Sequence, residues 1–594
     1  MAPILHAQTV ERMMYLFFRT PHTTSTCFFS ASLSTALPLN RTDPSSMCAF
    51  SKSPMHIMHC LRSLFLSAVA FSLFGYNIDA VPTTANTSPS SLYNTRFAGV
   101  TWDEVAWQVR TTVLDQGHFQ ARQSIANGYL GINVAAVLPG FEVDVQVDGD
   151  NVNGWREYLS FPCPCLTRGY RIGLFAYETR SIALFTERQT FATIAGFYDS
   201  QPTTNGTNFP WLNQYGGESV ISGVPHWSSI VVDLGNGVYL DATVDPKTII
   251  NFASTLNAKT GVSTWSFTWS PEGSVSFDIT YTIFAHKLYV NQAFVQLQIK
   301  PSADIKVSIA NVIDGRSAVR TTFVTKNMED NAIYTAVKPN NINDVTAYVY
   351  AIMDFTAEVD GPNLAIVTDK QYIGVNDSSI AQAVDANLKA GKVTVINKYI
   401  GGATTDGFQD PQGVARDACA NALQTGFDKS LATHMQEWAI VMPEDFADNY
   451  TDPETGALPA DPYIVELGIT GVLSQYYLLQ NTISPNALQK ANNADIDKWS
   501  IMVGGLASDS YAGLIFWDAE IWMQPGLAAS HPQATAQIAK YRVDHYDQAK
   551  KNAQTGYQSS KNKTSIPSDA AVYSWTSGRY GNCTGTGPCF GTSG

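Results

Sequence analysis

The chain has 594 residues, 45% hydrophobic, 11% aromatic and 15% charged, with a formal net charge of −14 and a pI near 5.1. That length exceeds what one core usually serves, so two or three domains are expected. The acidic balance excludes a nucleic-acid partner, because too few cations are available to displace counterions from phosphates. It suits a soluble protein acting on neutral ligands.

Residues 1–54 show neither helical nor strand periodicity and read as disordered, or as an over-extended gene model. Leu64 to Gly75 ("LFLSAVAFSLFG") is an apolar run preceded by Arg62, with Met55 and Met58 just upstream. It matches a signal-peptide core and is short for a membrane span. A signal peptide over about 55–80, inside a leader of 1–80, is therefore expected, leaving no membrane segment in the mature form; an uncleaved anchor is the alternative. Sequons at Asn86, Asn205, Asn376, Asn449, Asn562 and Asn582 suit a secreted glycoprotein. Beyond the leader stand Cys163, Cys165, Cys419, Cys583 and Cys589. Cys583 and Cys589 enclose a flexible loop and are expected to form a disulfide; because the five are an odd number, one thiol is left over however the rest pair.

From about Thr101 to Ile400 the signal is that of strands. In "VSFDITYTIFAH", Val275, Phe277, Ile279, Tyr281 and Ile283 alternate with Ser276, Asp278, Thr280 and Thr282. Val295, Leu297 and Ile299 repeat the pattern, and a hairpin is expected at Gly235-Asn236-Gly237. Many such strands in series predict a large antiparallel sandwich.

After Gly401-Gly402 the period becomes helical. One helix is predicted through "ACANALQTGFDKSLATHMQEWAIVM", with Ala422, Phe427, Leu431, Met435 and Trp438 on one side. A second follows the acidic, Pro-rich stretch from Pro443 to Pro462, with Ile464, Leu467, Val472, Tyr476 and Leu479 in phase. A third is predicted from Gln533 to Asn552, where no breaker intervenes.

Catalytic signatures are sparse. The chain contains no HExxH, GxSxG, Walker loop or CxxC. "GTGPCFG" mimics a dinucleotide fingerprint without its strand–turn–helix context, and His286, His434 and His545 read as structural or surface groups rather than ligands. No metal or cofactor is expected. The informative stretch is "GLASDSYAGLIFWDAEIWMQPGLAASHP", where "FWDAE" (Phe516 to Glu520) combines aromatic plates with carboxylates within five residues. A sugar offers apolar C–H faces and a rim of hydroxyls, and these residue types match both. The alternative is that Phe516 and Trp517 are core and Asp518 caps a helix. Asp518 and Glu520 do not suit a catalytic pair. Glycosidase carboxyls flank the bond about 5 Å apart, or about 6.5–9.5 Å when water must enter, and two residues so close in sequence would approach from one side.

This segment, with "AAVYSWTSGRYGNCTGTGPC" beyond it, closely resembles the fungal acid trehalases of glycoside hydrolase family 65. "NGYLGIN" (Asn127 to Asn133) and "NAKTGV" (Asn257 to Val262) are similar to motifs of that family's N-terminal domain, and the resemblance runs from about Tyr93 to Cys589. It implies a β super-sandwich over 81–405, a helical linker over 406–480 and an (α/α)6 catalytic barrel beginning at 481. It further implies inverting hydrolysis of trehalose to two glucose molecules, with Phe516, Trp517 and Asp518 around the sugar of the non-reducing subsite. Where the family's phosphorylases carry Tyr-Arg-Gly-His, this chain has Tyr511-Ala512-Gly513-Leu514, which leans toward the trehalases; a disaccharide phosphorylase or a non-catalytic carbohydrate-binding protein are the alternatives. The family's general acid lies more than a hundred residues beyond the Phe-Trp-Asp motif, whereas 76 residues follow Asp518. The reading is therefore of a C-terminally truncated member with an incomplete barrel. Its general acid would lie beyond Gly594, no catalytic residue would be present, and the chain alone would be inactive. Secretion to the cell wall, periplasm or vacuole is expected; the oligomeric state stays open.

Overall fold

The computed structural model describes residues 92–144, 189–200, 219–356, 364–444, 448, 450–555, 567–574 and 576–582, all within one compact unit. The expected signal peptide, Asn86, Asn205, Asn449, Asn562 and the Cys583–Cys589 pair lie outside these residues.

Strict alternation builds a sheet with one apolar face, and that face needs a partner. Among the described residues, eleven antiparallel strands form the larger sheet. Across it run Leu92–Asn94, Val100–Asp103, Gln108–Thr111, Ile249–Asn257, Val262–Trp269, Phe277–Ala285, Gln292–Pro301, Thr394–Thr404, Ala347–Phe355, Ala332–Pro339 and Thr321–Glu329. A five-stranded sheet lies against it, ordered Ala365–Val367, Ile380–Leu388, Ile305–Ile313, Ile230–Gly235 and Val238–Leu240. Phe277, Ile279, Tyr281, Ile283, Val295, Leu297 and Ile299 are buried together with Ile309, Ile313, Val232 and Ile230 in one core, as the alternation predicts. Lys398 crosses the sandwich: its buried Nζ donates to Ser229 O at 3.0 Å and Val312 O at 2.8 Å.

The opposite face of the large sheet is also covered. Phe284, Phe294, Tyr350 and Tyr399 pack against Ala415, Cys419 and Ala422 of helix α1 (Pro411–Thr425). The continuous helix expected here is instead two. Gly426, at φ 82°, ends α1, and α2 (Phe427–Val441) begins immediately after it. The break redirects the chain, so Phe427 and Trp438 are buried while Met435 is exposed. Helix α3 (Pro462–Leu479) opens on an Asp461 cap and buries Val465, Ile469, Val472, Leu473 and Tyr476. Ile464 and Leu467, expected inside, are exposed. The segment is apolar around most of its girth, so its phase is set by what packs on it rather than by its own pattern. After α4 (Pro485–Lys490) and α5 (Gln524–Ala528) the predicted third helix is split at His545 into α6 (Pro532–Asp544) and α7 (Tyr546–Thr555).

The strands and helices meet along the Asn127–Asn133 stretch. Asn127 donates Nδ2 to His286 O and Val290 O, both at 3.0 Å, and its Oδ1 accepts from Leu130 N at 2.8 Å. Asn133 Nδ2 donates to Ala507 O at 2.7 Å. Between these anchors the backbone of Gly128 lies against Thr482 and that of Gly131 against Leu506, too close for any side chain. From the connection between Phe277–Ala285 and Gln292–Pro301, Lys287 reaches into the helices, donating Nζ to Leu479 O at 2.6 Å and Thr482 O at 2.8 Å. It thereby caps the negative end of α3, with the Trp438 ring 4.9 Å from the ammonium.

Candidate active site

The Phe516–Asp518 segment is fixed on both sides by buried neighbours. Ile515 and Ala519 are fully buried, while Phe516, Trp517 and Asp518 between them are half-buried. Ile515–Phe516 is a short strand paired antiparallel with Thr576–Ser577. At Asp518 the backbone turns helical, and Ala519–Met523 forms a π-helical turn in which Gln524 N–H bonds Ala519 O. Such turns are frequent at functional sites, and here the turn follows directly on the strand end and carries Asp518 at its start.

The loop before the strand is strained. Tyr511 and Ala512 adopt φ 54° and 61°, followed by Gly513 at 60°. Non-glycine residues avoid this region, and it persists where the surroundings over-determine it. Ile221 N donates to Ala512 O at 2.9 Å, and Tyr198 Oη to Gly513 O at 2.6 Å. Arg320 Nη2 pairs with Asp509 at 2.9 Å. These three ties come from the strand-rich half of the chain, and they set Tyr511 edge-on to Phe516 at 5.7 Å.

Two carboxylates stand at the turn in different states. Glu520 is held by Arg542 of α6, with Nε to Oε1 at 2.8 Å and Nη2 to Oε2 at 2.9 Å. Asp518 has a buried oxygen, Oδ2, with no hydrogen-bond partner. Burial, and then the charge of Glu520, push its carboxyl above the ordinary range. A desolvated, unpartnered carboxylate oxygen is costly unless something fills its lone pairs. A ligand hydroxyl is suited to that task.

The helix-cap alternative for Asp518 is not what is observed, since its side chain makes no capping bond. Glu520 is committed to Arg542 and unsuited to acid–base work, in line with the sequence argument against a carboxylate pair. Arg542 itself, 22 residues beyond Glu520, and the left-handed loop at Tyr511 carry no sequence signal that marked them. Of the candidate glycosylation sites, Asn376 is exposed on a turn and Asn582 is half-buried. His286 and His434 are buried beside Lys287, with Thr433 Oγ1 3.1 Å from His286 Nε2 and Lys287 N–H donating to His434 Nδ1 at 3.0 Å, so both serve the packing. A cavity of about 10 Å³ lined by Gly196, Tyr198, Trp499 and Met502 does not have Asp518 in its lining and has room for one water rather than a sugar. Among the described residues no group of three His, Cys, Asp or Glu could hold a metal, and no helix is long and apolar enough to cross a membrane.

The model of the glycosyl hydrolase family 65 N-terminal domain matches residues 109–441, and that of the family's central catalytic domain matches residues 486–585. The chain belongs to glycoside hydrolase family 65. Among family 65 relatives, the cell wall acid trehalase of Arthroderma benhamiae is 52% identical over 499 residues, covering 84% of this chain and 45% of that protein. The acid trehalase of Emericella nidulans is 50% identical, with the same coverage. The chain thus spans about half the length of these relatives. A solved putative kojibiose phosphorylase from the human microbiome shares the fold at 13% identity, with a TM-score of 0.57 over 82% of this chain and 54% of that one. The antiparallel sheets followed by helices are therefore the family 65 arrangement, and Phe516–Asp518 falls inside the matched central catalytic domain.

Proposed function

We propose that this chain belongs to an α,α-trehalase acting outside the cytoplasm, which hydrolyses trehalose to two glucose molecules with inversion. The helices from residue 481 onward are the opening elements of an (α/α)6 barrel, joined to the sandwich of 81–405 by a linker over 406–480. Within it Asp518 accepts hydrogen bonds from the hydroxyls of one glucose unit, Trp517 offers that ring a flat apolar face, and Phe516 supports the tryptophan. No residue is assigned as general acid.

The observation that carries this reading is the unpartnered, buried Oδ2 of Asp518, in the turn that directly follows Phe516 and Trp517 in the chain. The family, and the trehalase names of the relatives at 50–52% identity, supply the substrate. The relatives named for the cell wall and periplasm supply the location. Calorimetric titration of the full chain with trehalose tests it. Wild type is expected to bind, and Asp518→Asn to bind roughly 10- to 100-fold more weakly, the value of a hydrogen bond to a charged group. Equal binding by the two proteins, or none by the wild type, would refute it.

A further inference from the structure

The candidate site holds a carboxylate that acts as neither acid nor base. Both oxygens of Glu520 are taken by Arg542, and the guanidinium does more than neutralise it. Its Nη2 also donates to Phe516 O at 3.3 Å, and its Nη1 reaches Ser577 Oγ at 3.4 Å. One planar fork thus ties the residue two places after Asp518, the carbonyl two places before it, and the strand paired with that carbonyl's segment. The side chains of Arg542 and Glu520 are 14% and 24% exposed, so solvent screens the pair weakly. A lysine could supply the charge but not this geometry.

We infer that Arg542 is a positioning residue: it locks the Phe516–Asp518 turn and offsets part of the charge of Glu520, so that Asp518 is the carboxylate at this turn left without a cation partner and offered to the sugar. The inference rests on Asp518 as the sugar contact. The charged group that bears on Asp518 is Glu520 from its own turn, and Arg542 faces that Glu520 from α6. Tyr541, also on α6, and Tyr573 sense Arg542. Without the guanidinium the Glu520 charge acts in full on Asp518, which then takes up its proton at higher pH. A protonated carboxyl is a poorer acceptor, so sugar affinity would fail over the same range.

The test follows the carboxyl directly, by NMR of the full chain labelled with [4-13C]Asp, the Asp518 signal being assigned with Asp518→Asn. Arg542→Gln is expected to raise the Asp518 midpoint by roughly half to one pH unit. Glu520→Gln, which leaves the guanidinium uncompensated, is expected to lower it and keeps the test decisive should Arg542→Gln fold poorly. Arg542→Lys retains the charge and loses the fork; its midpoint stays near wild type while trehalose affinity drops several-fold. Unmoved midpoints in Arg542→Gln and Glu520→Gln, or undiminished affinity in Arg542→Lys, would overturn the inference. Shifted midpoints in a chain whose wild type binds no trehalose would instead remove the sugar reading and leave the electrostatic role standing.

Discussion

Gly128 is the point at which the packing of strands on helices can be tested by one methyl group. Its φ is +96°, and a Cβ there would lie 2.2 Å from Thr482 O and 2.3 Å from Thr482 C, both backbone atoms that cannot rotate away. Three effects combine in Gly128→Ala. An L side chain at left-handed φ costs about 1–2 kcal/mol. Forcing a packed segment aside costs about 1–3 kcal/mol more. The displaced Thr482 O is also an acceptor of the buried Lys287 ammonium, at 2.8 Å, and weakening a charged hydrogen bond adds up to about 1.5 kcal/mol. Together these give a loss of about 2–6.5 kcal/mol. Gly273 provides the control: its φ is +71° and an alanine Cβ there would meet nothing within 4 Å, so Gly273→Ala should lose only the first of these, about 1–2 kcal/mol. Urea denaturation of both variants at pH 7, followed by tryptophan fluorescence, measures the difference. If Gly128→Ala falls within about 1 kcal/mol of Gly273→Ala, less than the packing cost alone, the strands do not rest on Thr482 as described.

Burial lowers the Lys287 ammonium to about 7, against a partial upward pull from Glu437. The folded chain then binds fewer protons than the unfolded one between about pH 7 and the ordinary lysine range, so stability should rise with pH there. The advantage of wild type over Lys287→Met should therefore grow between pH 7 and 9, by at most about 1.4 kcal/mol per unit, and a flat difference in urea denaturation would count against it. His226, with Nε2 3.0 Å from Asn133 O and Nδ1 3.3 Å from Ser228 Oγ, is held down to about 3 by burial. Stability is complete above the unfolded imidazole's pKa near 6.5 and is lost as pH falls toward 3. His226→Gln should flatten the acid limb of stability against pH, whatever its effect at pH 7.

The sandwich was legible in the sequence because alternation has a period of two and leaves one answer: Phe277, Ile279, Tyr281 and Ile283 can share only one face, and they do. The helices were legible in existence but not in phase or continuity. Gly426 divides one expected helix because a single residue at φ 82° suffices. Ile464 and Leu467 face outward because α3 has apolar residues on nearly every side, which leaves the choice to its neighbours. Phe516, Trp517 and Asp518 stood out as candidates because aromatic residues lie beside carboxylates there, but the roles proposed for them come from the family resemblance. What orders them could not. Arg542, Tyr198 and Ile221 reach the segment across long sequence separations, and the left-handed turn at Tyr511 is imposed by those contacts rather than by a glycine-rich sequence.

A glucose ring resting at Trp517 with a hydroxyl on Asp518 is tested directly by a crystal of the full chain soaked with trehalose. The expected density places one ring on the indole face with an oxygen about 2.5–2.8 Å from Oδ2 of Asp518. Trehalose bound elsewhere, with Oδ2 satisfied by a protein donor, would contradict it.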